Sequence, residues 1–465
     1  MNAPVLWIIV PVIMAVFSLF SIKERTILIL GTGTAALLSL LAIVVPINVA
    51  FLIGPVSFKV GGTLNILGRS FVLSTADGPL LAMLYGLAAV WFFGSEALQL
   101  TRRLIPLGLT ILALLVASIA VQPFLFAALL IEVASLLAVP MLLPLNQPPK
   151  RGILRFVIYQ TLAMPFILFA GWLLAGVETS PGDVVLTTQA TTILFMGFAF
   201  LLAIFPLYTW IPMLFEEAPA YLAGFVLWIL PQTTLLFAMS FLDRYTFLRL
   251  SPELSVILRV AGLLMVATGG VWAAFERHLG RLLGFAVIAE TGFMLVSLSL
   301  GNQAGVENIF LQIIPRGFGL AVWAFSLSII QKYVDVPRFS QVQGAVRVTP
   351  FATMGLILAS LSAAGIPLLA GFPIRLVLME SLADISLPQT LVLMFGMLGL
   401  LTGTIRTLAV TVMTPANTPW EYRESRIQIV LIGAGILALF MLGIFPQITQ
   451  PLLKNLPALF EHLGT

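Results

Sequence analysis

The chain alternates long apolar runs with short polar breaks, and the runs have the length of helices. Fourteen stretches stand out, at roughly 4–22, 26–47, 78–97, 104–121, 123–144, 153–176, 189–209, 220–242, 254–275, 280–300, 306–331, 350–378, 387–413 and 427–449. Each is close to the ~20 residues that an α-helix needs to cross the hydrocarbon core of a bilayer. None shows the ten-residue alternation of a membrane barrel strand. The pattern predicts an all-α integral membrane protein with about fourteen transmembrane helices. The segment 48–77 differs. It is more polar and glycine-rich, and Val56, Phe58 and Val60 alternate along it, which predicts a short hairpin outside the bilayer. The N-terminal run lacks a basic leader and a small-residue cleavage site, so it reads as the first membrane helix rather than a signal peptide.

Two apolar runs are interrupted. The stretch FAFLLAIFPLYTWIPMLFEEAPAYLAGFVLWILPQ (198–232) carries Pro206, Pro212 and Pro219, with Glu216 and Glu217 between the last two. The stretch SAAGIPLLAGFPIR (362–375) carries Gly365, Pro367, Gly371 and Pro373. Proline removes a backbone donor and clashes with the preceding turn. Within a membrane the freed carbonyls must be satisfied by protein or by trapped water. Broken helices therefore line polar cavities and point to transport sites. One break in each half predicts a duplication. Helices four to eight (104–242) form the first five-helix repeat, and helices nine to thirteen (254–413) form the second. A three-helix segment with the hairpin (1–103) precedes them, and a C-terminal helix and tail (414–465) follow. Five is odd, so the second unit enters from the opposite face, as inverted repeats do.

Composition sharpens the membrane assignment. Of 465 residues, 60% are hydrophobic and 9% charged, against about 25% charged in soluble domains. There is no cysteine, which excludes disulfides, thiolate-ligated iron–sulfur clusters and thioether-linked haem. The two histidines, His278 and His462, both lie in polar segments, so a histidine-held metal or haem within the membrane is not expected, nor is any other cofactor. The formal net charge of +4 reflects basic loops rather than a nucleic-acid surface. One set of loops holds Lys23, Arg25, Arg102, Arg103, Lys150, Arg151, Arg155, Arg277, Arg281, Lys332, Arg338, Arg347, Arg423 and Arg426; the other holds Lys59, Arg69, Arg244, Arg249 and Lys454. By the positive-inside rule both termini face outward. A bacterial inner membrane is the expected location.

Charges within spans are costly and usually functional. Glu132, Arg259, Glu290, Arg316, Arg375 and Arg406 remain after loops and helix ends are removed, with Glu380 at the margin. Glu132 sits mid-helix in FLFAALLIEVASLLAVPML, where nothing nearby in sequence neutralises it; such a carboxyl can take up and release a proton, or pair with an arginine to pin helix packing. Glu290 has the same two readings, with Thr291 beside it. Arg316 follows Pro315, and Gly317 and Gly319 allow another helix close, so it serves as a fixed countercharge to Glu290 or in ion movement. Arg375 follows Gly371 and Pro373 in the second break and reads as lining the site. Arg259 and Arg406 lie near helix ends and can snorkel. Arginine stays protonated in proteins, so these side chains set a field but do not relay protons.

These residues resemble those of a known family. FPLYTWIPMLFEEAP (205–219) resembles the signature P-x-H-x-W-L-P-x-A-H-x-x-A-P of the antiporter-like membrane subunits of respiratory complex I. Their fold is shared with the large subunits of Mrp-type cation/proton antiporters and membrane-bound hydrogenases. The 362–375 stretch, the run R-L-L-x-x-x-x-I-A-E-T-G-F (281–293) and L-I-E-V-A-S-L around Glu132 are similar to further family motifs. The resemblance implies that Glu132 is the glutamate of the family's fifth helix. It also shows departures: the family's lysines fall at Leu201, Gln232 and Gly280, and its signature histidines at Tyr208 and Phe215. The usual lysine relay is therefore missing.

The resemblance implies a proton- or sodium-translocating subunit of a redox-driven membrane complex of the NADH:quinone oxidoreductase type, with no catalytic site of its own. The chain would then pack in the bilayer beside other membrane subunits. Glu132 and Glu290 are the expected protonatable sites, Arg316 and Arg375 fixed charges, and Gln232 and Tyr208 polar or water-holding positions. A transport-inactive structural subunit and an Mrp-type antiporter are the alternatives, the first favoured by the missing lysines.

Overall fold

The computed structural model describes all residues except 1, 54–55, 67, 144–149, 181, 335, 414–419, 454–455, 461 and 464–465; Lys454 thus lies outside the described residues. Helix occupies each of the fourteen apolar stretches. In chain order these are α1 (Val5–Phe20), α2 (Glu24–Val44), α3 (Gly78–Ala97), α4 (Thr101–Ala120), α5 (Ala127–Leu142) and α6 (Arg151–Thr179). The first interrupted stretch gives α7 (Val184–Leu201) and α8 (Trp210–Glu217), and α9 (Ala220–Arg244) follows. Next come α10 (Pro252–Phe275), α11 (Leu279–Ser299) and α12 (Gln303–Ile330). The second interrupted stretch gives α13 (Pro350–Ala363) and α14 (Gly371–Ala383), followed by α15 (Leu387–Val412) and α16 (Arg426–Ile444). Among the described residues, twelve helices are long and apolar enough to cross a membrane. The first stretch and the first half of the second interrupted stretch are shorter. Between α2 and α3 the chain forms two antiparallel hairpins, Ala50–Ile53 with Val56–Lys59 and Thr63–Ile66 with Arg69–Val72.

The interior is centred on α11. It is buried along its whole apolar window, and α3, α4, α9 and α12 along most of theirs, whereas α2, α6, α7, α10 and α16 show most of their surface. The exposed faces carry Leu, Ile, Val and Phe, the composition expected against lipid. Small residues set the closest crossings. A Cβ at Gly262 of α10 would lie 2.7 Å from the Gly292 carbonyl of α11, and the reverse also holds, the close backbone approach that membrane helices use in place of a hydrophobic driving force.

Both breaks lean on α11. A Cβ at Gly284 would lie 2.6 Å from Pro212 Cα, and one at Gly280 would fall on the Phe215 carbonyl, so α8 rests on bare backbone there. The second break turns through Gly365 (φ +77°) and Leu368 (φ +71°). It closes where the Gly371 N–H donates to Ser362 Oγ at 3.1 Å. The acidic pair between the first-break prolines does interfacial work. Glu217 Oε2 accepts from the Gly152 N–H at 2.6 Å, capping the start of α6. Glu216 lies 3.8 Å from both Arg281 and Arg338. Glu424 does the same for α13, accepting from the N–H groups of Phe351 (3.1 Å) and Ala352 (2.6 Å).

Candidate functional site

A glutamate, and arginines from two further helices, meet in the interior. Glu290 stands on α11, Arg316 on α12 and Arg375 on α14, and all three are buried, with exposures of 8%, 4% and 3%. Arg316 Nε is 3.4 Å from Glu290 Oε2, and Arg375 Nη2 is 3.8 Å from Glu290 Oε1. These are long contacts, and Glu290 Oε2 accepts no directed protein hydrogen bond. Arg316 is held more firmly than its countercharge. It donates from Nη1 to Met294 Sδ (2.6 Å) and from Nη2 to the Leu227 carbonyl of α9 (3.1 Å) and Thr291 Oγ1 (3.3 Å). Arg375 lies over the Phe293 ring, 3.7 Å from its centroid, a cation–π contact that strengthens when desolvated. Its Nε and Nη1 have no protein partner.

Local sequence explains the convergence. Pro315 lies inside α12 and removes one N–H from its ladder, one residue before Arg316. The second break lets α14 begin at Gly371, so Arg375 stands one turn into a new helix at the depth of Glu290. A Cβ at Gly365 would lie 3.1 Å from Arg375 Cγ, so the turn leaves room for that stem. A cavity of about 20 Å³ adjoins the three charges, lined also by Gln312, Pro315, Ser362 and Gly371. That is enough for one water-sized guest among polar groups. The cluster carries one carboxylate and two guanidinium groups. A buried charge persists only when paired, so the second guanidinium leaves this spot with an unmatched cation.

The other predicted residues do not join this cluster. Glu132 is partly buried on α5; its Oε1 accepts from Thr161 Oγ1 at 2.8 Å, its buried Oε2 has no protein partner, and it makes no ion pair among the described residues. Gln232 is fully buried in α9, and neither of its amide atoms has a protein partner. Tyr208 is buried after the first break, with its ring 6.0 Å from that of Phe205. Leu201 is buried, and its carbonyl accepts from Gln160 Nε2 at 3.2 Å. The first break thus gathers Pro206, Pro212 and Pro219 around aromatic side chains, while Gly365, Pro367, Gly371 and Pro373 shape the charged one.

Sequence reasoning missed a polar stripe. Asn308 and Gln312 precede Arg316 at four-residue spacing on α12, and both donate to Ser297 Oγ of α11, at 2.8 and 3.3 Å. That i, i+4, i+8 spacing on one helix face was the available signal. Ser135 and Gln160 form a smaller neutral counterpart in the first half, joined at 3.4 Å.

Comparison with known proteins agrees with this fold. Residues 179–402 match the family described as NADH:quinone oxidoreductase/Mrp antiporter, TM. That stretch, just under half of the chain, is similar to the family's membrane segment. The matched segment holds both breaks and all three charges of the cluster. Among sequence relatives, it is 28% identical over 212 residues to NADH-quinone oxidoreductase subunit N 2 of Solidesulfovibrio magneticus, covering 45% of this chain and 44% of that one. It is 26% identical over 376 residues to NAD(P)H-quinone oxidoreductase subunit 2 of Gloeobacter violaceus, covering 76% and 69%. The chain thus aligns with less than half of the first relative's length. Among solved structures, it resembles a chain of the membrane-bound sulfane sulfur reductase, an archaeal respiratory membrane complex, with a TM-score of 0.85 at 16% identity, covering 100% and 99%. It also resembles a chain of respiratory complex I from Thermus thermophilus, with a TM-score of 0.77 at 18% identity, covering 99% and 100%. At these identities the structural matches establish the antiporter-type fold. Gly280 has a steric reason: the Phe215 carbonyl occupies the space a side chain would need.

Proposed function

We propose that this chain is an antiporter-like subunit of a redox-driven membrane complex of the NADH:quinone oxidoreductase type. In this role it translocates protons or sodium ions, packs beside other membrane subunits and is driven by a remote redox reaction. The observation that carries this reading is Glu290, buried between arginines from two other helices and beside a small polar cavity. One arginine rides on the unbroken α12, the other on the second segment of a broken helix. Movement of α14 against α11 changes the field at Glu290, and a carboxyl that loses a countercharge takes up a proton. Conformational change and ion binding are thereby coupled through one contact. Glu132 is assigned as a second protonatable site on the flank, and Gln232 and Tyr208 as polar, water-holding positions. The charge bias of the loops supports outward-facing termini in a bacterial inner membrane, and the two breaks support a pair of inverted five-helix repeats.

The test is Glu290→Gln in the assembled complex, reconstituted in proteoliposomes, with ion uptake measured per electron transferred. A lower ratio with unchanged electron transfer is expected; an unchanged ratio removes Glu290 from the pathway. A second reading, a subunit kept for assembly with transport lost, is favoured by one observation. Leu201 and Gln232 stand where the resemblance places lysines, so those two positions offer no titratable cation. Normal pumping with Glu132→Gln and Glu290→Gln combined would establish that reading.

A further inference from the structure

A large cavity lies away from the charge cluster. It is an apolar groove of about 540 Å³ on the flank of the bundle, between α2, α3, α12 and α16. Thr32, Ala36, Phe93, Phe318, Val430 and Ala434 are among its walls. Its volume falls within the range of small-molecule sites, about 300–1,000 Å³. The groove is short. Its lining covers Ala89–Gly94 of α3, 318–325 of α12 and 430–435 of α16. At ~1.5 Å rise per residue this is about 10 Å of depth, against the ~30 Å hydrocarbon core that a transmembrane partner helix would follow. The groove therefore belongs to one leaflet.

That leaflet is on the basic face. Arg25 precedes Thr32 by two turns on α2, Arg426 precedes Val430 by one turn on α16, and Lys332 follows Phe325 by two turns just beyond α12. The groove's end is closed by real contacts: Lys332 Nζ and Gln428 Nε2 both donate to the Ala97 carbonyl of α3, at 3.4 and 3.1 Å, one turn past Phe93. Arg25 and Arg426 are exposed and make no ion pair among the described residues. Of the nearby acids, Glu24 pairs with Arg102 and Glu421 with Arg423. Glu424, two residues before Arg426, is engaged by the N–H groups of Phe351 and Ala352, and Glu96 makes no ion pair among the described residues.

We propose that this groove binds one acyl chain of an anionic phospholipid from the basic-face leaflet, with the headgroup held by Arg25, Arg426 and Lys332. Apolar walls take the chain, and the rim selects the charge, as basic pockets between membrane helices do for acidic lipids. The groove is separate from Glu290, so the proposal stands independently of ion transport.

The test is native mass spectrometry of the full chain in mild detergent, delipidated and then titrated with phosphatidylglycerol or phosphatidylcholine of identical chains. Wild type should retain one phosphatidylglycerol at least fivefold more strongly than phosphatidylcholine. Ala36→Phe with Ala434→Phe places bulk into the open groove from two exposed positions, and retention of that lipid should fall at least fivefold. Arg25→Gln with Arg426→Gln should keep chain binding but abolish the headgroup preference. Thermal unfolding of each variant in the same detergent confirms that it is folded. Equal retention of the two lipids by wild type, or undiminished phosphatidylglycerol retention by the folded, filled variant, would overturn the proposal. So would a cross-link from Ala36→Cys to a neighbouring subunit's helix seated in the groove of the intact complex.

Discussion

The two broken helices use the same backbone device to opposite ends. Each interrupts a membrane run with prolines and a left-handed non-glycine residue, Ala203 (φ +50°) in the first and Leu368 (φ +71°) in the second. Each second segment then packs against α11. The first delivers Trp210, Pro212 and Phe215, all buried and apolar, and spends its two glutamates at the interface, as a helix cap and as a partner for surface arginines. The second delivers Arg375 to Glu290. A break therefore does not make a charged site by itself. It makes a place where a new helix can begin inside the bundle, and the residue one turn later decides whether that place carries charge. Here only the second break does so, which gives the chain an electrostatically lopsided interior.

That contrast can be broken experimentally. The largest effect is expected from Arg316→Ala. It strips Glu290 of its nearer countercharge and should cost about 3–5 kcal/mol, as removal of one partner from a buried pair does. Thermal unfolding in detergent measures this, and a loss below ~1 kcal/mol would show that the cluster is not electrostatically coupled. Next is Gly284→Ala, which places a methyl 2.6 Å from Pro212 Cα. Overpacking of this kind costs about 1–3 kcal/mol, and Gly280→Lys, aimed at the Phe215 carbonyl, should be at least as damaging. Tolerance of either variant would mean that α8 is not pressed against α11. Glu217→Ala removes the cap of α6 and should cost about 0.5–2 kcal/mol, with Glu217→Gln recovering part of it. The smallest effect should come from Gln232→Leu. It replaces a buried amide without protein partners by an apolar group of similar size, a change that is nearly neutral or stabilising. Full ion coupling in Gln232→Leu would confirm that the first half can work without polar side chains at that position. Lost coupling in a stable protein would show that Gln232 holds the pathway.

Much of the architecture was legible in the chain. The positions of the apolar runs, both breaks and the hairpin follow from local rules: twenty apolar residues span a bilayer, proline interrupts a helical ladder, and alternation makes a strand. The charges of the interior were also visible, because an arginine or glutamate inside an apolar run is conspicuous. Their partnership was less so. Glu132 and Glu290 look alike in sequence, each a lone carboxyl in an apolar helix, yet one ends partly buried beside Thr161 without a cation and the other enclosed between two arginines. Helical periodicity does not say which face of a uniformly apolar helix turns inward, since lipid and protein interior are equally apolar. The stripe through Asn308, Gln312 and Arg316 was the exception, a polar face on an otherwise apolar helix. What the sequence by itself determined was therefore the inventory: where helices run, where they break, and which few residues carry charge. Only the tertiary structure decided the pairing, because contact among α11, α12 and α14 depends on backbone crossings at glycine and on where a broken helix restarts, and neither is a property of one segment alone.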